Sequence, residues 1–208
     1  MEPSRYDIDR RDMLPYVPAG ARRVLDVGCN TGRFANNLRE RDETVEVWGI
    51  DPTPPAAGIT DPHVCRITGH FPDDAPTDVA FDCIAFNDVL EHMIDPWGAL
   101  EFARTMLSAE GQVVACIPNI RNIEVLRTLV VNGRWRYADT GILDRTHLRF
   151  FTRESIVTMF EEAGFEIVAL DPINPNRRGR WAATNRFLRG RLDDLLALQF
   201  AVVGQPCR

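Results

Sequence analysis

Residues 24–34, VLDVGCNTGRF, carry the most information about the fold of this chain. Its apolar run is interrupted by one carboxylate, Asp26, and ends at two glycines, Gly28 and Gly32, before the helical pattern RFANNLRER. A strand that passes through a glycine turn into a helix brings its backbone close to a ligand, because glycine has no side chain in the way. The stretch therefore predicts a nucleotide-binding crevice at the end of a buried strand.

The rest of the chain repeats this alternation of short apolar runs with helical patterns. Strands are predicted at 22–27, 45–50, 63–67, 81–86, 111–117, 165–170 and 198–204, and helices near 32–41, 96–107, 121–131, 152–163 and 183–197. The helix near 152–163 is predicted to begin with Thr152 as its N-cap and to end before Gly164. Such alternation indicates an α/β fold, a Rossmann-like parallel sheet covered by helices. At 208 residues, the length favours one domain, residues 1–208.

The spacing of the polar residues narrows the nucleotide. The turn is G-x-x-x-G, so the G-x-G-x-x-G pattern for a pyrophosphate is absent, and a Walker loop is excluded because the chain has no lysine. Asp51 ends the second predicted strand, 23 positions after Gly28, where such folds place a carboxylate for the ribose hydroxyls. With Asp26 suited to an amino group, S-adenosylmethionine fits this pattern better than NAD.

Four ordered motifs, VLDVGCNTGRF, WGIDP, FDCIAFNDVLEHMIDPWGAL and LSAEGQVVACIPN, resemble those of class I S-adenosylmethionine-dependent methyltransferases over roughly residues 20–170. The resemblance implies a doubly wound, seven-stranded sheet, mostly parallel with an antiparallel last strand and with helices on both faces. It also implies the cofactor-binding residues Asp26, Gly28, Cys29, Asn30, Gly32, Asp51, Pro52, His70, Phe71, Asn87 and Asp88. Where the family often has Gly-Asp for the adenine, this chain has Gly69-His70, so His70, the Phe71 main chain and ring packing remain alternatives.

Asp88, Glu91 and His92 form the first candidate acceptor site. Their spacing is similar to the E-x-x-E-H pattern of ubiquinone-biosynthesis and small-RNA 2′-O-methyltransferases, in which it implies a divalent metal ion, and His147 would complete the ligand set. Here an aspartate replaces the first glutamate, which shortens its reach. The alternative is a metal-free arrangement in which Glu91 and His92 fix loops by hydrogen bonds.

The stretch GILDRTHLRFFT, residues 141–152, resembles a segment of bacterial methyltransferases associated with polysaccharide or natural-product pathways. His147 is the leading candidate for a catalytic base and His92 the second, because imidazole titrates near neutral pH. The alternative is a buried corner that anchors the following helix. Candidate substrate contacts are two arginines that would clamp an anionic group and two aromatic residues of a lid: Arg145, Arg149, Tyr6 and Tyr137.

We therefore expect a methyltransferase that acts on a hydroxyl of a sugar or secondary metabolite; N- or C-methylation and non-catalytic cofactor binding are the alternatives. The acceptor would be small, either anionic or sugar-containing. A net charge of −6 argues against nucleic acid, and the absence of a long apolar window or leader predicts a cytoplasmic protein without a membrane partner. We expect a monomer or homodimer with an N-terminal helix within 1–20, a substrate-covering segment at 132–151 and a C-terminal insertion at 172–197.

Overall fold

The computed structural model of the chain describes residues 8–54, 64–175 and 180–207. Its strands are β1 Arg23–Val27, β2 Glu46–Asp51, β3 Val64–Thr68, β4 Phe81–Asn87, β5 Leu107–Pro118, β6 Phe165–Ile173 and β7 Gln199–Pro206. Its α-helices are α1 Arg33–Arg41, α2 Pro96–Met106, α3 Ile123–Asn132, α4 Arg153–Glu162, α5 Arg180–Phe187 and α6 Asp193–Leu196. Short 3-10 helices span Arg11–Tyr16 and Leu90–His92.

All seven strands form one sheet in the order β3-β2-β1-β4-β5-β7-β6. Strands β1 to β5 pair in parallel, whereas β7 runs antiparallel to both β5 and β6. The predicted seven-stranded, mostly parallel sheet with an antiparallel last strand is therefore confirmed. From β1 the chain builds the sheet first toward β3 and then, starting with β4, in the opposite direction. The loops after β1 and β4 therefore run to opposite faces of the sheet and leave a crevice between them at the carboxyl ends of the strands.

The sheet is covered on both faces, which explains why its central strands are apolar throughout. Leu25 and Val27 of β1 pack with α2 and α4 on one face, in a cluster that includes Leu100 and Met159. Val24 packs with α1 and the first 3-10 helix on the other face. A strand buried on both sides cannot show the polar alternation of a half-buried strand.

The helix boundaries follow local capping chemistry. Thr152 and Ser155 form a capping box at the start of α4, and Gly164 just beyond its end has φ +83°, as the sequence predicted. The single helix predicted near 183–197 is wrong, because α5 and α6 are separated at Arg189 and Gly190, which both have positive φ. Strand β5 also begins at Leu107, four residues before its predicted start.

Two irregular segments lie at the carboxyl edge of the sheet. The first carries the 3-10 helix Arg11–Tyr16, whose Met13 is fully buried. The second follows α3 and holds no helix or strand before α4, and isolated bridges link Asn119 to Phe151 and Ala138 to Asp144. In the described ranges, every helix is too short or too polar to cross a bilayer.

Candidate functional site

The turn after β1 is the part of the structure at which the sequence pattern predicts cofactor binding. Gly28 and Gly32 have φ +72° and +81°, a region that other residues rarely adopt. A Cβ atom on Gly28 would lie 2.7 Å from Cγ2 of Val89, whereas one on Gly32 would meet no atom within 4 Å. The turn is therefore packed against the loop after β4 at Gly28 and open at Gly32, where α1 begins.

Asp51 connects the carboxyl end of β2 to this turn. Its Oδ2 accepts a hydrogen bond from the Asn30 N–H at 2.9 Å, and its Oδ1 accepts one from the Thr53 N–H at 2.8 Å. Asp51 is buried, with 8% of its surface exposed. A carboxylate oxygen can accept two hydrogen bonds, so each oxygen retains capacity for a ribose hydroxyl.

Arg66 on β3 supports the same turn, and the sequence analysis missed it. One guanidinium nitrogen donates to the carbonyl oxygen of Asn30, and the other donates to the carbonyl oxygen of Thr53 at 2.7 Å. The guanidinium also lies 3.2 Å from the Sγ atom of Cys29 and 3.9 Å from Asp51. It thus ties the loops after β1 and β2 together. The available signal was a charged residue in the middle of an otherwise apolar strand.

Asp26 and Asn87 lie at the switch point of the sheet. Burial, reinforced by the charge of Asp51, raises the pKa of the Asp26 carboxyl to about 7. Both polar atoms of the Asn87 amide are buried, and among the described residues neither forms a hydrogen bond of good geometry, although the amide lies close enough to the Asp26 carboxyl to oppose the rise in its pKa. A carboxylate, an orphaned amide and an open glycine turn suit the amino-acid part of S-adenosylmethionine, so these residues fit that cofactor.

The residues expected near the adenine lie in different surroundings. His70 and Pro52 are exposed, whereas the Phe71 ring packs edge to face on Phe86 and Phe102 at 5.5 and 5.7 Å between centroids. Asp74 was missed: its carboxylate accepts from the His70 N–H at 2.8 Å and lies against Gly69. An acid from the next turn thus occupies the neighbourhood in which the family often has Gly-Asp.

Asp88, predicted for both cofactor and metal, is engaged by protein groups. Its carboxylate forms an ion pair with Arg10 and accepts a hydrogen bond from the Gln199 side chain. Its backbone has φ +56°, and its N–H donates to the carbonyl oxygen of Cys116 at 3.1 Å. Arg10, 7% exposed, thereby joins the N-terminal segment to the loop after β4. Neither partner could be identified from the sequence, because both lie far away along the chain.

Glu91, His92 and His147 come together where the loop after β4 meets residues 132–151, the segment that we predicted to cover the substrate. One ligand atom of each lies within 4.8 Å of the others. Glu91 is 1% exposed, its carboxylate oxygens have no hydrogen-bond partner among the described residues, and burial raises its pKa to about 8. The backbone carbonyl of Glu91 accepts from the N–H groups of Leu148 and Arg149, which holds the covering segment in place.

The two histidines are oriented by backbone carbonyls. Nδ1 of His147 lies 3.0 Å from the Ile142 oxygen, and Nδ1 of His92 lies 3.2 Å from the Thr146 oxygen. A carbonyl only accepts, so each Nδ1 carries the proton and each Nε2 is the basic nitrogen. Nε2 of His147 lies 3.9 Å from Oε1 of Glu91, and burial lowers the pKa of His147. Two imidazoles held in this way and one orphaned carboxylate fit a divalent ion, with His147 in place of the predicted Asp88.

A cavity of about 480 Å³ opens beside this cluster. Its wall includes Asp88, Glu91, His92 and His147, together with residues of the N-terminal segment. Because Val89 touches the glycine turn, the cavity and the cofactor crevice adjoin through the loop after β4. The arrangement places the candidate bases next to the predicted cofactor crevice.

Three of the four candidate substrate residues lie in the part of the chain that the structure describes, and none of these three lines the cavity. Arg145 is exposed and pairs with Asp139 at 2.8 Å, and Arg149 donates to the Ile94 carbonyl oxygen at 2.6 Å. Tyr137 is exposed on the outer surface, and Tyr6 lies outside the described residues.

The sequence model of a family described as "Methyltransferase domain" matches residues 5–170 of the chain. The ubiquinone biosynthesis O-methyltransferase of Cereibacter sphaeroides (strain ATCC 17025 / ATH 2.4.3) is 25% identical over 173 residues, which cover 79% of this chain and 66% of that protein. The chain therefore spans slightly less than two thirds of the length of this relative.

Solved structures share the fold. The CcbJ methyltransferase from Streptomyces caelestis superposes with a TM-score of 0.65 at 17% identity, covering 94% of this chain and 87% of the other. NcsB1, an O-methyltransferase from neocarzinostatin biosynthesis solved with S-adenosylmethionine and a naphthoic acid, gives 0.58 at 14%, covering 89% and 49%. The family match and the order of strands in the sheet together show that the chain belongs to the class I S-adenosylmethionine-dependent methyltransferases.

Proposed function

We propose that this protein transfers a methyl group from S-adenosylmethionine to a hydroxyl of a small-molecule acceptor, such as a sugar or secondary metabolite. The observation that carries the proposal is the cavity beside the cofactor crevice, with the basic nitrogen of His147 buried in its wall. Methyl transfer from a sulfonium is an in-line displacement, so holding the acceptor oxygen near the methyl carbon supplies much of the acceleration. The O-methyltransferase relative supports a hydroxyl acceptor.

His147 would act as the general base. Its lowered pKa keeps the imidazole neutral at pH 7, so Nε2 can take the hydroxyl proton as the oxygen attacks the methyl carbon. The products are a methyl ether, S-adenosylhomocysteine and a protonated imidazole. Glu91, whose Oε1 lies 3.9 Å from Nε2 of His147, would stabilise that imidazolium in its ionised form.

The charges around the cavity favour an uncharged acceptor over an anionic one. Both arginines in its wall already form ion pairs: Arg10 pairs with Asp88, and Arg11 pairs with Asp9 and Glu40. Among the described lining residues, therefore, no guanidinium is left without an ion-pair partner to bind a phosphate or carboxylate of the acceptor. This is a reason to prefer the sugar or neutral metabolite alternative.

A mechanism assisted by a divalent ion is the second candidate for the same reaction. The orphaned Glu91 carboxylate and the two carbonyl-anchored histidines would hold it, and its chemistry would be to lower the pKa of a bound acceptor hydroxyl. In that case His147 would serve as a ligand, and chelation would abolish turnover.

For the cofactor end, we propose that Asp51 accepts hydrogen bonds from the ribose hydroxyls and that Asp26 and Asn87 bind the amino-acid part. Calorimetric titration with S-adenosylhomocysteine tests this. Hydrogen bonds to charged groups contribute about 1.5–3 kcal/mol, so Asp51→Ala should weaken binding by about 10- to 150-fold. The exposed Asp78→Ala variant is the control. Equal affinity of the Asp51 variant and the wild type would refute the assignment.

Turnover is tested by following S-adenosylhomocysteine release with panels of hydroxylated and amine acceptors, with and without EDTA. His147→Ala should lower kcat about 10²- to 10⁴-fold for a hydroxyl while leaving cofactor affinity unchanged. Leu148→Ala is the matched control, because this neighbouring side chain is exposed. Full activity of His147→Ala on a neutral amine would favour N-methylation. Cofactor binding without turnover on any acceptor would favour a non-catalytic binder.

A further inference from the structure

The end of α3 and the segment that follows it form an unusually exposed apolar surface. We call residues 121–137 the α3 face. None of the residues of α3 is buried, although six of the ten are Ile, Leu or Val, and all residues from 129 to 141 are exposed. Val130 and Val131 expose 78% and 74% of their surface. A surface helix of a globular protein normally packs its apolar stripe against the core, so this stripe lacks its usual partner.

Two aromatic residues extend the apolar surface beyond the helix. Trp135 contacts the rings of Phe150 and Tyr137 edge to face, at 5.4 and 6.3 Å between centroids, and both Trp135 and Tyr137 remain exposed. Aromatic rings with one polar atom are enriched where an apolar phase meets water. Trp135 and Tyr137 follow Val130 and Val131 closely in the chain, so they add rings with both apolar and polar atoms to the α3 face.

The α3 face is also basic, although the whole chain carries a net charge of −6. It holds one acid, Glu124, which pairs with Arg127 at 3.2 Å. The other three arginines, Arg121, Arg134 and Arg136, form no ion pair with any residue that the structure describes. Apolar and aromatic side chains flanked by unpaired arginines are complementary to an apolar phase bordered by negative charge.

We propose that the α3 face docks on an anionic lipid surface. Val130, Val131 and Trp135 would enter the boundary between headgroups and acyl chains, and the arginines would contact lipid phosphates. A second copy of this chain is the poorer occupant, because a two-fold interface would place the same unpaired arginines against one another. The proposal goes beyond methyl transfer and departs from the expectation of no membrane partner, which rested on the absence of a spanning segment. Thr140 and Gly141, just beyond the face, line the acceptor cavity, so docking would bring a membrane close to its wall.

Vesicle flotation of the full chain tests the proposal. Vesicles of phosphatidylcholine and phosphatidylglycerol in equal parts are compared with vesicles of phosphatidylcholine alone. Each arginine near an anionic surface contributes about 1 kcal/mol, so Arg134→Gln with Arg136→Gln should lower partition onto the anionic vesicles about 25-fold. Val131→Asp should lower it by at least about tenfold, because its carboxylate would have to enter the apolar boundary. Arg22→Gln and Val168→Asp, exposed at other parts of the sheet, are matched controls and should bind like the wild type.

The proposal is overturned by equal binding to both kinds of vesicle, by no binding to either, or by unchanged binding of the α3 variants. It is also overturned if analytical ultracentrifugation shows a dimer that Val131→Asp converts to a monomer, since the occupant would then be a second copy. Circular dichroism confirms that each variant is folded. Cofactor titration of the same variants separates this result from the proposed methyl transfer, because loss of docking should leave cofactor affinity unchanged.

Discussion

The buried carboxyl of Glu91 predicts how the stability of this protein depends on pH. The folded protein holds this proton up to a pKa of about 8, whereas the unfolded chain releases it near the ordinary glutamate pKa of 4.5. Between these pH values the folded state binds more protons than the unfolded state, so the free energy of unfolding falls as pH rises. Linkage gives a loss of about 3 kcal/mol between pH 4.5 and pH 7 from this group alone.

Glu91→Gln removes the ionisation while keeping the shape of the side chain. Urea unfolding followed by circular dichroism, from pH 4.5 to pH 8 with EDTA present, measures both proteins. The stability of the wild type relative to Glu91→Gln should fall by about 3 kcal/mol over the first 2.5 pH units. Glu101→Gln, on the exposed face of α2, should give no such difference. A flat difference curve would mean that the Glu91 carboxyl of the wild type is solvated in the folded protein, and it would refute the raised pKa.

Three further outcomes follow from the site. Gly28→Ala forces a side chain into φ +72° and within 2.7 Å of Val89, so chemical denaturation should show a loss of about 1–3 kcal/mol; unchanged stability would contradict the tight turn. Because the pKa of Asp26 is raised to about 7, affinity for S-adenosylmethionine should fall as pH drops below 7, and calorimetry on Asp26→Asn should show weaker binding without this pH dependence. Arg10→Met leaves the Asp88 carboxylate without its ion-pair partner and should lower the free energy of unfolding by about 3–5 kcal/mol, with Arg22→Met as the neutral comparison.

The sequence predicted the fold well because its signals are local. The β1 run, the glycine turn and the N-cap at Thr152 each depend on residues close together in the chain, and the structure confirms all three. The break between α5 and α6 was missed, because the positive φ of Arg189 and Gly190 interrupts a stretch whose apolar pattern suits one helix.

The site was only partly accessible from the sequence. Asp51 was singled out by its distance from Gly28, but Arg66 and Asp74 carry no spacing pattern that links them to the turn. Asp88 was grouped with Glu91 because the two are three residues apart, yet the structure turns Asp88 toward Arg10. Adjacency in the chain does not determine which way neighbouring side chains point once the backbone leaves helical geometry.

Periodicity and motif spacing in the sequence predicted the succession of strands and helices, the glycine turn and Asp51, and the family resemblance added the candidates Glu91 and His147. The folded protein alone reveals that His147 lies beside Glu91, that Arg10 pairs with Asp88 and that the apolar stripe of α3 remains exposed. Burial and the choice of partners could not be predicted, because they depend on groups brought together from distant parts of the chain. The charge state of a carboxyl such as Glu91 depends in turn on that burial.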